Sequence, residues 1–425
     1  MPMRTRDGLA FGALTCFAVS TYASIAHVIP ALGALRPALA SAAIALAALA
    51  VGRLCTGRTL SLDAPRGLFL IGLCAFALAS LAWTRAPEVT RPMIFELCKL
   101  AAIYLTAVNV VDTRARLSRV AFAIVLAALA PALGTIQRWR RGEHLVDGFR
   151  ASWEGVYEDP NHLAMTLVAL VPLALFFALS RRALLQRVLA ALSGAGAVAA
   201  IVLTHSRGGA LGLLCSVGLF ALLGRNRLRA GLCTALLAAA LLALAPSSFW
   251  ARTGTLGNIG RDASAMGRVF AWEITADITR DRPLTGVGLG AFQAAWGDYA
   301  PREAQGISLV AHNVFLSVLG ELGLVGFALF LAFAGSALGG ALETWRALSR
   351  EADADPELLG LARALSAGSA GFLVCDLFSG YLTSAHFFFF WALLSSCERI
   401  RSRSASGRAS VAVATPAPRA REAAR

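Results

Sequence analysis

Long apolar stretches recur from one end of the sequence to the other, separated by short segments rich in arginine. A helix needs about 20 apolar residues to cross a bilayer, and these stretches have about that length. Twelve are present, at 8–29, 31–52, 67–83, 92–111, 118–137, 161–180, 188–204, 209–224, 230–246, 312–334, 364–380 and 382–398. Only 15% of the residues are charged, against roughly 25% in soluble domains. The sequence therefore predicts an all-α polytopic membrane protein with about 12 transmembrane helices.

The positive charges indicate how these helices are oriented. With the N-terminus in the cytoplasm, 24 arginines fall in inner segments, eight in short outer segments and six in one long outer loop. Arginine in short loops favours the cytoplasmic side, so both termini are predicted to be cytoplasmic. The net charge of +14 is then a consequence of topology. A nucleic-acid partner is not predicted, because such a protein would group its basic residues on one face.

Three regions are predicted: a transmembrane bundle at 1–398, an embedded periplasmic loop at 247–311, and a disordered basic cytoplasmic tail at 399–425. Within the loop, Ser264 is expected to cap a helix that ends near Asp281. The apolar stripe of this helix would consist of Phe270, Ile274 and Ile278, and it would lie on the membrane or on the bundle. The tail is expected to be attracted to anionic lipid.

Few ionisable groups lie inside the apolar stretches. Glu96 and Lys99 are three residues apart in the fourth stretch and are interpreted as a structural ion pair, with an ion path as the alternative. Eight cysteines are present without a CxxC pair, so no metal site is predicted. No cofactor is predicted either.

Polar motifs concentrate at the predicted outer ends of the helices. Asp159 before Pro160 is typical of a helix start, and the alternative is that Asn161 and His162 face a polar cavity. A non-helical link is predicted at 204–209, where the glycines permit an unusual backbone. Arg207 in this link is a candidate phosphate-binding residue or, alternatively, an interfacial arginine.

Two further segments lie between 247 and 313. Arg268, near the start of the predicted loop helix, is placed to bind a phosphate or carboxylate through two parallel hydrogen bonds, or to remain in solvent. The glycine-rich segment 283–290 is predicted to form a tight turn that returns the chain to the membrane. His312 stands where the chain re-enters the membrane, and a neutral imidazole accepts a proton from a hydroxyl at neutral pH. The alternative is that His312 is a cap or interface residue at the helix end.

His312, Asn313, Gly323 and Gly326 fit a motif of the O-antigen ligase/polymerase superfamily: His, then Asn, Ser or Gln, nine residues, Gly, two residues and Gly. Ahead of this motif, and in the expected order, stand the segments 159–161, 206–209, Arg268 with Trp272, and 283–288. The sequence resembles this superfamily over about residues 154–330, and it is most similar to the O-antigen ligases.

The resemblance implies a GT-C-like bundle in the bacterial inner membrane with its active site on the periplasmic side. It implies a metal-independent, inverting glycosyltransferase that moves a glycan from undecaprenyl diphosphate to a hydroxyl of the lipid A-core, with donor, acceptor and membrane lipid as its partners. His312 corresponds to the general base, and Arg207 and Arg268 correspond to the groups that bind the diphosphate. The candidate substrate-binding residues are Asn161, His162, Ser206, Trp272 and Asn313.

Three alternatives remain at this stage. A repeat polymerase of the same superfamily would extend the glycan on its lipid carrier, and a protein O-oligosaccharyltransferase shares the histidine motif. A solute transporter would show internal repeats and polar groups at mid-membrane on broken helices. The sequence offers only Glu96 and Lys99 for the last function.

Overall fold

The computed structural model of the chain describes residues 2–224, 263–306 and 308–414. Those residues form helices and loops, and their only β-type pairing is an isolated bridge between Val146 and Arg150. The described residues contain seven candidate membrane spans, each long and apolar enough to cross a membrane. The prediction of an all-helical polytopic membrane protein is therefore confirmed. The predicted stretch 230–246 lies outside the described residues, so the count of twelve, like the GT-C-like arrangement, stays a prediction.

The helices before the first gap are α1 (Pro2–Tyr22), α2 (Ile25–Val28), α3 (Pro30–Gly33), α4 (Pro37–Thr56), α5 (Arg66–Ala79), α6 (Pro87–Val110), α7 (Arg114–Ala127), α8 (Leu129–Arg141), α9 (Pro160–Leu179), α10 (Leu184–Leu203) and α11 (Arg207–Leu222). After it come α12 (Ala263–Asp281), α13 (Phe292–Tyr299), α14 (Val314–Arg350), α15 (Pro356–Asp376) and α16 (Ala385–Ala414). The seven candidate membrane spans are α4, α6, α7 together with α8, α9, α10, α14 and α15.

Helix α9 lies at the centre of the bundle, packed against α10, α11 and α15. It is apolar all round, as a helix surrounded by other helices must be. Neighbouring α11 and α15 approach closely at Gly212 and Gly371, where a Cβ on either residue would come within 2.7 Å of the other's carbonyl oxygen. Small residues of this kind let helix backbones approach each other within a membrane.

Ion pairs join several interhelical loops at one end of the bundle. Arg114 binds Asp355 at 2.5 Å, and Arg182 binds Glu357. These pairs bring together the loops that follow α6, α9 and α14. The starts of α9, α11 and α14 therefore lie at the opposite end.

The loop helix α12 ends at Asp281, as predicted. Ser264 lies within it, so the predicted cap is wrong: the helix already includes Ala263, and a cap must precede the first helical residue. Ile274 and Ile278 are buried against the neighbouring helices in a second apolar cluster with Trp296. The apolar stripe thus packs on the protein rather than on lipid.

The segment 283–290 contains the predicted turns, with positive φ at Gly286, Gly288 and Gly290, and it docks on a break in α14. Gly323 has a φ of 59° inside α14, and the break exposes carbonyl groups that need new donors. The backbone N–H groups of Val287 and Gly288 donate to the carbonyl oxygens of Gly320 and Glu321 at 3.0 and 2.8 Å. A Cβ at Gly323 would lie 2.4 Å from the carbonyl carbon of Leu284, so this contact requires glycine.

The Glu96–Lys99 pair and the C-terminal tail are two further predictions to compare with the structure. Lys99 binds Glu96 at 2.6 Å, as the structural-pair interpretation requires. Helix α16 continues to Ala414, into the segment 399–425 that the sequence assigns to the tail, and residues 415–425 lie outside the described residues. Proline disrupts a helix more than any other residue does, and the sequence has no proline between Ala385 and Thr415.

Candidate active site

Three helices begin at one end of the bundle, and each begins with a side chain that caps it. Asp159 Oδ1 accepts the N–H of Asn161 at 2.7 Å at the start of α9. Ser206 Oγ accepts the N–H of Gly209 at 3.1 Å in α11. Helix N-termini carry a partial positive charge and favour bound anions, so this end of the bundle is electrostatically suited to an anionic substrate.

A cavity of about 430 Å³ opens among these helix starts. Its walls come from the loop before α9, the starts of α9 and α11, helix α12, the residue before the α14 cap, and the segment after α15. The lining residues are Val146, Asp147, Arg150, Glu158, Asp159, Pro160, Asn161, His205, Arg207, Gly208, Arg268, His312 and Phe378. Four residues predicted from separate motifs therefore line one cavity: Asn161, Arg207, Arg268 and His312.

His312 is held at the cavity by an unusual backbone conformation. Its φ is 48°, in the left-handed region that histidine tolerates better than most residues. The next residue, Asn313, caps α14 by accepting the N–H of Phe315 at 2.9 Å. Burial lowers the pKa of His312, and the positive charge of Arg268 lowers it further. The imidazole is therefore neutral at neutral pH, the form that accepts a proton.

The two predicted arginines reach the cavity from different elements. Arg207 is the first residue of α11, directly after the Ser206 cap. The predicted non-helical link at 204–209 is therefore shorter than expected, because α11 already begins at Arg207. The glycines that follow are helical, and a Cβ at Gly209 would lie 2.7 Å from Ala164 of α9, so glycine there permits close helix packing. Arg268 lies on α12.

A third arginine, Arg150, organises one wall of the cavity and was not identified from the sequence. Its Nε donates to the carbonyl oxygen of Thr204 at 3.1 Å, and its Nη2 donates to Asn161 Oδ1 at 2.8 Å. Ser206 Oγ donates to the same Asn161 oxygen at 2.9 Å. This junction joins the loop before α9 to the starts of α9 and α11, so it fixes the position of Arg207.

The remaining candidate substrate-binding residues lie outside the cavity lining. Ser206 and Asn313 are the helix caps described above. His162 packs edge-on against Tyr381 with ring centroids 4.8 Å apart, and Trp272 is 46% exposed on α12. None of these four residues belongs to the cavity lining within the described residues.

Besides Arg150, sequence reasoning did not select Asp147, His205 and Phe378. His205 carried a detectable signal, because it precedes the Ser206 cap just as His312 precedes the Asn313 cap. Its φ of 50° matches that of His312, and its ring stacks on Phe149 at 5.2 Å. Asp147 and Phe378 lie in loops without a motif, and only the fold brings them to the cavity.

Comparison with known families gives a match within the chain. The family described as O-antigen ligase matches residues 192–331, which extend from α10 into α14 and include Arg207, Arg268 and His312. A search of curated proteins finds no match. The matched region contains three of the elements that form the cavity, α11, α12 and the start of α14, and it contains the complete motif from His312 to Gly326. Residues 192–331 of the chain are therefore similar to the O-antigen ligase family, and this match supports the resemblance to the O-antigen ligase/polymerase superfamily.

Proposed function

We propose that this protein is an O-antigen ligase: a glycosyltransferase that moves a glycan from undecaprenyl diphosphate to a hydroxyl of the lipid A-core. The observation that carries the proposal is that His312, Arg207 and Arg268 line one cavity although they belong to three separate elements. The match of residues 192–331 to the O-antigen ligase family supports a ligase or polymerase type of function. A base beside two cations suits the transfer of a sugar from a diphosphate.

The reaction follows from the charges at the cavity. The acceptor oxygen attacks the anomeric carbon of the donor sugar, and the bond from that carbon to the diphosphate oxygen breaks. Neutral His312 takes the proton of the acceptor hydroxyl as the new bond forms. Attack from the face opposite the diphosphate inverts the anomeric configuration.

The leaving diphosphate gains negative charge as the bond breaks. Arg207 and Arg268 stabilise this charge because a guanidinium presents parallel N–H groups that match two phosphate oxygens. Fixed donors of this kind need no reorganisation during the reaction. The positive N-terminus of α11, next to Arg207, adds to the same field. The proposed reaction therefore requires no metal ion.

The proposal places the cavity on the periplasmic side of the bacterial inner membrane, with both termini in the cytoplasm. Ser308 and Ser349 test this orientation because Ser308 precedes α14 and Ser349 lies in its last turn, and the 37 residues of this helix span about 55 Å at 1.5 Å per residue. In a background without native cysteines, a membrane-impermeant thiol reagent applied to spheroplasts should label a cysteine at 308 and not one at 349. The reverse pattern would move the cavity to the cytoplasmic side.

A purified assay tests the reaction itself. Lipid-linked glycan and lipid A-core, mixed with the protein and a metal chelator, should give a glycan–lipid A-core conjugate. Product that appears only as lengthened lipid-linked glycan would instead assign the protein as a polymerase, and transfer only to a protein acceptor would assign it as an O-oligosaccharyltransferase. Loss of activity in chelator, restored by a divalent metal, would contradict the metal-free mechanism.

Deletion of the protein separates the two main candidates in cells. A ligase deletion leaves long glycans on the lipid carrier and unmodified lipid A-core, whereas a polymerase deletion leaves single repeats attached to the core. A transporter has less support, because Glu96 and Lys99 already neutralise each other at 2.6 Å. The motif from His312 to Gly326 favours the ligase outcome.

A further inference from the structure

A second cavity, of about 530 Å³, lies away from the candidate active site. It is lined by Arg53, Gly57, Arg58, Thr59, Asp112 and Arg403, which we call the arginine cleft. The cleft lies where α4 and α6 end. The start of α6 contacts the segment 283–290, which docks at the active-site end of α14. Since α6 has 24 residues and rises about 1.5 Å per residue, the cleft lies at the opposite end of the bundle.

The charge of the arginine cleft is unbalanced. Three arginines line it together with one carboxylate, Asp112, which already binds Arg116 at 2.9 Å. Over residues 8–224, 266–306 and 308–404, whose side chains the structure describes, no carboxylate lies within 4.0 Å of a guanidinium nitrogen of Arg53, Arg58 or Arg403. A concave site with uncompensated positive charge attracts anions.

The guanidiniums are also partly preorganised. Arg53 Nη2 donates to the carbonyl oxygen of Asn109 at 3.3 Å, which holds this side chain at the cleft wall. Arg403 reaches the same cleft from α16. Donors therefore surround the cleft from two elements that are distant in the sequence.

The surface beside the cleft is apolar and exposed. Leu54 is 83% exposed, and Val51 and Leu60 are about half exposed. Helix α4 as a whole is an outer helix, with 17% of its apolar window buried. Since α4 is a candidate membrane span whose outer side chains face lipid, a phospholipid with its phosphate among the arginines would have its acyl chains along α4.

We propose that the arginine cleft binds the phosphate headgroup of an anionic phospholipid, with the acyl chains against Val51 and Leu54. Basic pockets between transmembrane helices at the membrane surface are suited to such headgroups. The site is independent of the proposed glycosyl transfer, and it would hold the ends of α4 and α6 against α16.

The test titrates the purified full-length protein with phosphatidylglycerol, phosphatidylcholine or sodium phosphate and measures the thermal unfolding midpoint. Wild type should be stabilised by phosphatidylglycerol more than by the other two. Arg53→Gln/Arg403→Gln should weaken its apparent affinity roughly 30-fold, since each arginine near an anionic lipid contributes about fivefold. Arg280→Gln/Arg302→Gln is the matched control, because it removes the same charge at exposed positions near the other end.

Each remaining outcome contradicts the proposal. Equal affinity of the wild type and the double variant for phosphatidylglycerol would show that the arginine cleft does not bind the lipid. An equal loss of affinity in the control variant would show that the lipid responds only to the net charge of the protein. Equal stabilisation by sodium phosphate would indicate a free-anion site. If the double variant does not yield folded protein, the exposed loop substitution Arg58→Gln provides the same test, with a loss of about fivefold.

Discussion

The starts of α11 and α14 have the same local design and different surroundings. In each, a histidine with a φ near 50° precedes a capping side chain, Ser206 or Asn313, and then the helix. His205 is 6% exposed and stacks on Phe149. His312 is half-buried and lies close enough to Arg268 for the charge to lower its pKa. A shared backbone motif thus brings two histidines to one cavity, and burial determines which of them is available to a substrate.

The largest expected effect separates these two histidines. His312→Ala should reduce transfer about 10²–10⁴-fold, the usual loss when a general base is removed. His205→Ala should reduce it less than His312→Ala does, because the buried His205 ring stacks on Phe149 and acts only through geometry. Both are measured as kcat/KM on monodisperse protein. Equal losses in the two variants would contradict the assignment of different roles.

The next prediction compares Arg207 and Arg268, which line the cavity, with an arginine outside it. Arg207→Lys and Arg268→Lys should each lower kcat by roughly 10²–10³-fold, since a point charge does not reproduce parallel donation to two phosphate oxygens. The control is Arg302→Lys, at an exposed position outside the cavity lining. Unchanged kcat in both cavity variants would show that only charge is recognised there, or that neither residue binds the diphosphate.

The two caps offer a smaller effect that acts on stability. Ser206 Oγ receives one helix N–H and itself donates to Asn161, whereas Asn313 receives the N–H groups of Phe315 and Leu316. Ser206→Ala and Asn313→Ala should each cost about 1 kcal/mol of folding free energy. Ser206→Ala should in addition lower activity, because Asn161 loses a partner at the cavity. Denaturant unfolding of each variant, compared with exposed Ser349→Ala, measures the first effect.

The difference between the two helix starts also shows what the sequence could predict. Hydropathy located the helices because the membrane imposes their length, and spacing located Arg207, Arg268 and His312 because a motif contains them. Arg150 carried no such signal: its role comes from hydrogen bonds to Thr204 and Asn161, which only the packed bundle brings near. Trp272 shows the opposite case: the sequence selected it, and it lies one turn from Arg268, but it is not among the residues that line the cavity.

Gly323 shows a third limit of sequence reasoning. The motif identified it correctly, yet its physical reason lies in the segment 283–290, which docks where Gly323 breaks α14. The sequence suggested that this glycine-rich segment turns back into the membrane. A pattern along the chain does not show which backbone groups a broken helix leaves without partners, and those groups determine where the segment binds.

The pH dependence of transfer gives the last and smallest expected effect. Because burial and Arg268 lower the pKa of His312, its neutral form persists to lower pH than that of a solvent-exposed histidine, whose pKa is about 6.5. Activity that requires neutral His312 is present above the pKa and is lost as the pH falls through it. Arg268→Gln removes a cation that opposes protonation, so the acid limb of log kcat/KM should move to higher pH, whereas Arg268→Lys should leave the limb in place while lowering the rate. If the acid limb lies at the same pH in wild type and Arg268→Gln, the charge of Arg268 does not affect the group that titrates. That group would then be a residue other than His312.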